Sequence, residues 1–428
     1  MTVVLIVLAL FLLFLSFRIA LPLALGLAIV LYATFDGSLP INIIWQTFFS
    51  AFDSFTLLAI PFFILAGELM VSGGISNRLV RLALAFFGTI SGSLGIVTVI
   101  CCMFFAAVSG SAPATVAAIG AILMPAMFDE GYDKGFAVSL TACAGAMGPI
   151  IPPSILFIIY GVIAETSVSS LFLAGIIPGI IMALILCLYV YFVSKKKGFG
   201  QHNERTAATK QEKFSALKGA IWSLLLPVII LGSIYAGIAT PTEVSVIACL
   251  YALIVGICIH KELKLRDLPS LFIGTACTTG YCLVSLGAAS AFAKLLTMNG
   301  VPTMLADGIS SITDNRIFIL LIINVLLLIA GCFIEPIPAI IIFAPLLLPL
   351  ATNVGVDPIH FGTMMVVNLT IGMCTPPVGV NLFVASGISG VPVHQMFKWL
   401  IPALGCLIIA LLFVTFVPAL STALPSLL

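Results

Sequence analysis

Long apolar runs, broken at a few places by glycine, proline or charge, dominate the chain. No Asp, Glu, Lys or Arg lies between Arg81 and Asp129, between Lys134 and Glu165, or between Asp357 and Lys398, whereas about 20 apolar residues suffice for a helix to cross a bilayer. The runs are continuously apolar rather than alternating, which predicts helices and not a barrel. In order, the pattern predicts helices at 2–17 and 19–35 with Arg18 between them, a turn at Asp36 to Pro40, and a helix at about 51–71. The stretch 73–87 carries Arg78 and Arg81 after a glycine pair and predicts an amphipathic arm at the membrane interface. Next, the 47-residue uncharged run from Leu82 to Phe128 is interrupted at Ser109 to Pro113. Each side of that interruption is short for a crossing, so 88–128 is expected to be a re-entrant hairpin, its tip satisfied by protein or by a water-filled cavity. A crossing helix at 136–164, broken at Gly148 to Ser154, a helix at 169–193 and a polar connection at 194–218 follow.

The same order then recurs. Helices are predicted at 219–239, 243–259 and 270–295, an arm at 300–313, a hairpin at 317–351 turning at Gly331 to Ala339, a broken helix at 359–388 and a last helix at 396–418. A constant offset of 224 residues superposes Gly148 on Gly372, Pro152 on Pro376, Pro153 on Pro377, Pro125 on Pro349, Gly131 on Gly355, Asp133 on Asp357 and Pro178 on Pro402. The expected fold is therefore an all-α polytopic membrane protein of two repeats, 1–193 and 219–428, joined by the linker 194–218. Each repeat holds about five crossings, one hairpin and one broken helix. With an odd number of crossings per repeat, the two must run in opposite senses. If the linker, with seven basic and two acidic residues, is cytoplasmic, 15 of the 17 Lys and Arg residues fall on that side, as positive-inside topology requires. Both termini then lie outside, and the hairpins enter from opposite faces.

Composition narrows the class without adding a site. Apolar residues make up 62% of the 428 and charged ones 8%, against roughly a quarter charged in soluble domains. The net charge of +1 says nothing about partners, and no basic patch with interleaved aromatics suggests nucleic acid. The eleven cysteines are scattered through apolar segments without a CxxC pair and read as packing residues. The four histidines lack ligand spacing, so no metal centre beyond transported ions is expected, and no nucleophile–base arrangement or phosphate loop suggests an enzyme. The N-terminus lacks basic residues before its apolar stretch, which favours a retained first helix over a cleaved signal.

Paired breaks at matching places in two repeats are the sequence mark of a secondary transporter's binding site. Unwound helix supplies carbonyls suited to a hard cation such as Na⁺, and helix N-termini and hydroxyls suited to a carboxylate. The tip Ser109, Gly110, Ser111 is expected to face Gly148 to Ser154 as one cation site, and Gly331 to Pro336 to face Gly372 to Pro377, with the Thr375 hydroxyl, as the other. Proline pairs keep both breaks from annealing into regular helix. Glu335, an acid at a hairpin tip, is a functional candidate as an intramembrane ionisable group, with a solvated cavity edge as the plain alternative. Asn381, Asn368 and Ser154 can donate hydrogen bonds to substrate or join helices, joining being favoured for Asn368, and Glu68 and Asp53 at the ends of the third helix have a solvated interfacial role favoured over one in coupling.

The segments SGSAPATVAAIGAILMPAM (Ser109 to Met127), GAMGPIIPPSILFIIYG (Gly145 to Gly161) and TPPVGVNLFVASGISG (Thr375 to Gly390) resemble the large membrane subunit of tripartite ATP-independent periplasmic (TRAP) transporters, and the likeness covers essentially the whole chain. That resemblance implies Na⁺-driven uptake of an organic acid, such as a C4-dicarboxylate or sialic acid, across the bacterial inner membrane. It also implies a soluble periplasmic substrate-binding protein, a small four-helix membrane subunit as a separate chain, and an elevator-type transport domain moving against a scaffold. Carried onto this sequence, one Na⁺ site falls on Ser109, Gly110, Ser111, Ala112, Gly148, Ile151 and Pro152, and the second on Gly331, Ile334, Glu335, Gly372, Thr375 and Pro376. Substrate is expected near Ser111, Ser154, Thr375 and Asn381. A stand-alone Na⁺/carboxylate symporter or antiporter of the same architecture is the nearest rival, and a channel or non-transporting scaffold subunit is a rival of another class.

Overall fold

The computed structural model describes residues 6, 9–11, 13, 14, 21–36, 40–200, 208–310, 313 and 315–427. The expected helix at 2–17, Arg18, the centre of the turn after Asp36, residues 201–207 of the linker and the end of the second arm lie wholly or largely outside the described residues. Among those described, every element is helical, and nine helices are long and apolar enough to cross a membrane. The chain is an all-α polytopic membrane protein. Large apolar side chains stand exposed along such helices, Leu184, Leu188 and Phe192 among them, as lipid-facing surface requires.

The first group of helices is α1 (Leu21–Asp36), α2 (Ile41–Ser50), α3 (Ala59–Ser72) and the arm α4 (Ile75–Phe87). A hairpin follows, α5 (Ser93–Ser109) and α6 (Ala112–Asp129), then the interrupted pair α7 (Lys134–Gly145) and α8 (Ile155–Ile163), and the long α9 (Val168–Lys197). Beyond the linker come α10 (Lys210–Tyr235), α11 (Pro241–Ile254), α12 (Leu268–Met298) and the arm α13 (Val301–Ser310). The second hairpin is α14 (Arg316–Phe333) with α15 (Pro336–Asn353), the second interrupted pair α16 (Pro358–Gly372) with α17 (Val380–Ser389), and α18 (Val393–Phe416) runs towards the end.

The repeated residues have matching local jobs. Gly131 and Gly355 take φ of 79° and 76°, turning the chain out of α6 and α15. Asp133 and Asp357 then cap the next helices, Asp133 accepting from the Phe136 N–H at 3.1 Å and Asp357 from the Ile359 N–H at 2.8 Å, which satisfies N-terminal donors left without intrahelical partners. Pro125 and Pro349 lie inside α6 and α15, and Pro178 and Pro402 inside α9 and α18.

Two packing groups can be traced, joined to each other where α15 lies on α12 and α5 lies on α4 and α3. In one, α12 holds α1, α2 and α3, α3 packs on α11, and α10 packs on α4. In the other, both hairpins and both interrupted helices pack together with α9 and α18, and the repeats exchange their second halves: α17 lies on α6 and α7, while α8 lies on α15.

Three boundaries differ from the sequence expectation. Ile41–Ser50 forms a helix of its own, seated on α12, where Phe48 packs against the bare backbone of Gly287. The helix expected at 51–71 starts later, with a 3-10 turn at Phe55–Leu58. The linker is shorter than 194–218, because α9 continues to Lys197 and α10 begins at Lys210. There the Thr209 hydroxyl accepts from the Glu212 N–H at 3.2 Å while the Glu212 carboxylate accepts from the Thr209 N–H at 2.7 Å, a reciprocal cap that starts a helix despite its polar composition.

Candidate functional site

Each hairpin tip meets the break of its own repeat. Gly110 ends α5 with φ of 58°, and Ser111 precedes α6 in extended conformation. A methyl group on Gly148 would lie 2.5 Å from the Ser111 carbonyl oxygen and 2.8 Å from the Ala112 nitrogen, so backbone packs on backbone. In the second repeat a methyl group on Gly372 would lie 2.6 Å from the Gly331 Cα, the same close approach. Only glycine permits these contacts. A bond of 3.3 Å from the Val378 N–H to the Cys332 carbonyl also ties the second break to its hairpin. Both proline pairs, Pro152–Pro153 and Pro376–Pro377, are joined by cis peptide bonds.

The polar atoms at the tips are hydroxyls and carbonyls. The Ser109 and Thr115 hydroxyls lie 2.9 Å apart, and Thr115 donates to the Ser111 carbonyl at 2.8 Å. In the second repeat the Thr375 hydroxyl donates to the Ile371 carbonyl at 2.9 Å. Oxygen donors of this kind suit a hard monovalent cation. Among the described residues no group of three or more His, Cys, Asp and Glu side chains is placed to hold a metal ion.

Between the two tips lies a cavity of about 220 Å³. Ser109 to Ala114 and Pro149 border it from the first hairpin and break, and Glu335, Pro336, Ile337, Met373 and Val380 from the second. The opposite wall comes from the other packing group: Ile64, Gly67, Glu68 and Val71 on α3, Thr278 and Cys282 on α12. Four helices, α6, α8, α15 and α17, turn their N-terminal ends to this space through Ala112, Ile155, Pro336 and Val380. Each such end carries a partial positive charge, although Pro113, Pro336 and Pro338 supply no N–H at α6 and α15 and Ser154 caps the Phe157 N–H at α8.

Of the four residues expected near substrate, Ser111 borders the cavity and the others sit behind its wall. Ser154 is fully buried as the cap of α8, accepting from the Phe157 N–H at 3.2 Å and donating to the Pro149 carbonyl. Asn381 is fully buried and donates to the Ala142 carbonyl at 3.2 Å, joining α17 to α7, while its side-chain oxygen has no hydrogen-bond partner. Thr375 is partly buried and turned to its own helix. Ile151 and Ile334 lie in the break and the tip, with Ile151 filling the notch left by Gly179 of α9. Asn368 joins helices, donating to the Asn324 side-chain oxygen at 2.8 Å.

Among the lining residues, Thr278 and Cys282 were not foreseen in sequence, and Glu68 was foreseen as solvated in preference to a coupling role. Glu68 carried a signal, an acid within the apolar run between Asp53 and Arg78. Thr278 and Cys282 carried none, since a threonine or cysteine on an apolar helix has no distinguishing pattern.

Residues 6–420 match the family described as tripartite ATP-independent periplasmic transporter, DctM component. Over 404 residues the chain is 46% identical to the isethionate TRAP transporter permease protein DctMQ of Oleidesulfovibrio alaskensis, a match covering 94% of this chain and 63% of that longer relative. It is 40% identical over 378 residues to the C4-dicarboxylate TRAP transporter large permease protein DctM of Pseudomonas aeruginosa, covering 88% of each. To the sialic acid TRAP transporter large permease protein SiaM of Vibrio cholerae it is 39% identical over 391 residues, covering 91% of each. Among solved structures, the YdaH transporter of Alcanivorax borkumensis, described as having an unusual topology, shares the fold with a TM-score of 0.60 at 14% identity, over 89% of this chain and 90% of that one. By residues matched, identity and coverage alike, the chain belongs to the tripartite ATP-independent periplasmic transporter family, as its DctM component.

Proposed function

We propose that this chain is the permease of a Na⁺-coupled uptake system for a small organic acid in the bacterial inner membrane. A soluble periplasmic protein delivers the substrate, and a small membrane subunit accompanies the permease. The observation that carries this reading is the cavity between the two tips, which gathers four helix N-termini and presents no Lys or Arg among its lining residues. Such a space binds an anion through backbone N–H groups and helix dipoles, and it leaves cations to complete the charge balance. The relatives' names point the same way, since isethionate, C4-dicarboxylates and sialic acid are all organic anions.

In this mechanism one Na⁺ binds at Ser109 to Ala112 with Gly148, Ile151 and Pro152, and another at Gly331 to Glu335 with Gly372, Thr375 and Pro376. Both sites lie behind the tips. Filling them draws tip and break together and aligns the helix ends that meet the substrate, so cation and anion binding reinforce one another. The repeats run in opposite senses across the membrane, with residues 194–218 in the cytoplasm and both termini outside. The unit of both hairpins, both interrupted helices, α9 and α18 then moves against the helices held by α12, carrying the cavity from one side to the other.

Uptake into proteoliposomes tests this reading. A panel of radiolabelled organic acids is offered with and without an inward Na⁺ gradient, the small subunit and the purified binding protein. Accumulation that needs all three is the expected result. Accumulation by this chain alone would make it a self-sufficient symporter, and flux without saturation or accumulation would make it a channel. Ser111→Ala and Thr375→Ala are each expected to weaken Na⁺ coupling or substrate affinity by about tenfold, the loss of one or two hydrogen bonds. Ser215→Ala, on the exposed first turns of α10, should leave uptake unchanged.

A further inference from the structure

The cavity holds a feature that a receptor for a plain anion does not need. Two carboxylates, Glu68 and Glu335, border it without a Lys or Arg among the lining residues. Glu335 stands just before α15, where Pro336 and Pro338 offer no N–H to cap, and its side chain makes no bond to its own helix. It reaches across to the other packing group instead, where the Tyr281 hydroxyl of α12 donates to Oε2 at 2.7 Å. The Glu335 carbonyl is taken up by the Ala339 N–H at 3.1 Å, so the distinctive group this residue offers is the carboxylate. One carboxylate oxygen is engaged by Tyr281, and a carboxylate has further acceptor positions to spare.

We propose that Glu335, aimed by Tyr281, sets substrate selectivity: it accepts a hydrogen bond from a hydroxyl or ammonium group of an organic acid with a single anionic head and rejects acids with two. The proposal rests on the organic-acid reading above and deepens it. The anionic head of the substrate sits at the helix N-termini around Ser111, Ala112 and Val380, and the donor-bearing end points to Glu335 and Glu68. A second carboxylate on the substrate would meet these two acids as like charges in a partly dehydrated space, with no basic side chain to offset them. A substrate lacking the donor would leave the Glu335 carboxylate under-satisfied, and such unpaired polar groups are what make discrimination steep. Glu335 is then a substrate-contacting residue, and Tyr281 a positioning residue that acts through it. Glu335 is thereby taken out of the second cation site outlined above, and cation binding at that tip falls to the backbone and hydroxyl groups around Gly331, Gly372 and Thr375.

The test is ligand-induced thermal stabilisation of the purified permease with its small subunit, in Na⁺ and in choline. This readout bypasses the selectivity of the binding protein. The probes are isethionate and lactate as mono-anions carrying a hydroxyl group, taurine as a zwitterion with one anionic head and an ammonium group, ethanesulfonate and propionate as counterparts without the donor, and succinate as a dianion. In Na⁺, at least one donor-bearing acid is expected to bind about tenfold or more tightly than its counterpart and than succinate. Glu335→Gln should collapse the preference over succinate, and Tyr281→Phe should narrow both preferences while the need for Na⁺ persists. A role for Tyr281 in packing alone would weaken all ligands equally. Succinate binding to the native protein as tightly as the hydroxy acids would overturn the proposal and leave the organic-acid reading standing. Loss of Na⁺ dependence in Glu335→Gln with ligand ratios unchanged would also overturn it, making Glu335 a cation ligand. Should Glu335→Gln fail to fold, the native panel and Tyr281→Phe decide between the same outcomes. No Na⁺-dependent stabilisation by any acid would remove both readings.

Discussion

At the scale of single residues, the site depends on two places where a side chain of any size is excluded. Gly148 and Gly372 bring their breaks within van der Waals contact of the hairpin backbones, and an added methyl would sit 2.5 Å from Ser111 O in one case and 2.6 Å from the Gly331 backbone in the other. Backbone cannot yield as a flexible side chain does, so Gly148→Ala and Gly372→Ala should each lower stability by about 1–3 kcal/mol, the usual cost of overpacking. Each should also weaken Na⁺-dependent uptake strongly, because tip and break are prised apart at the proposed cation sites. Gly387→Ala is the control. That glycine is exposed within α17 with nothing within 4 Å of an added methyl, and the change should stabilise by up to about 1 kcal/mol through helix propensity. Melting of the three variants in detergent, beside uptake, reads both effects. These glycines were legible in sequence because proline pairs stand beside them at one offset. Ser154 and Asn381 were legible as special without their roles being so. Both can donate to substrate or to backbone, and the choice turns on neighbours distant in the chain, such as Ala142 for Asn381.

Where turn and cap residues mark an element's ends locally, the local sequence specifies it, and where distant packing decides, it does not. The hairpins and interrupted helices stand where the breaks put them, since Gly131 with Asp133 and Gly355 with Asp357 are a turn and a cap that the local sequence specifies alone. The α2 helix (Ile41–Ser50) escaped notice because ten residues are too short to cross, and its apolar face has a purpose only against Gly287 of α12. The arm α4 was expected, but not what secures it. Arg78 pairs with Glu262 at 2.6 Å, and the His260 ring lies 2.9 Å from the Gly73 carbonyl, so α4 is fastened to the turn following α11. Burial holds the His260 imidazole below its ordinary pKa. The Gly73 bond opposes that shift, Arg78 adds to it, and Glu262 opposes it. A depressed histidine pKa favours the neutral ring in the fold, with Nδ1 donating to Gly73 and Nε2 buried without a partner. The contribution is therefore intact above the unfolded value of 6.5 and is lost as the pH falls through the folded one. Melting temperature in detergent should drop more steeply between about pH 6.5 and 5 for the native protein than for His260→Gln. Equal slopes would mean that this contact does not sense protons. Glu262→Gln, at a half-exposed pair, should cost no more than about 1 kcal/mol.

For the whole molecule, the question is whether the two packing groups form one body or two. The cavity is shared between them, its tips on one side and α3 with α12 on the other, and sequence repeats could indicate neither the wall nor its closeness. Gly67 of α3 marks the contact: a methyl there would lie 3.4 Å from the Ser109 Cα, an ordinary separation, so Gly67→Ala should be tolerated. Gly67→Leu is a wedge driven between the tip and its wall. If the groups were a single body, the extra atoms would strain the tip or enter the cavity that Gly67 borders, and the variant would lose about 1–3 kcal/mol of stability or bind substrate more weakly. If the hairpin group moves, the wedge raises the free energy of the arrangement seen here relative to one in which the tip has left the wall. Every 1.4 kcal/mol of such a difference shifts the population about tenfold. The expectation for a moving unit is a near-native melting temperature together with uptake slowed about tenfold or more, because each cycle must pass back through the disfavoured state. Native uptake with native stability would show that the tip does not press on α3 during transport. A large fall in stability with uptake per folded molecule unchanged would favour the single body, and the carrying motion proposed here would have to be sought between other surfaces.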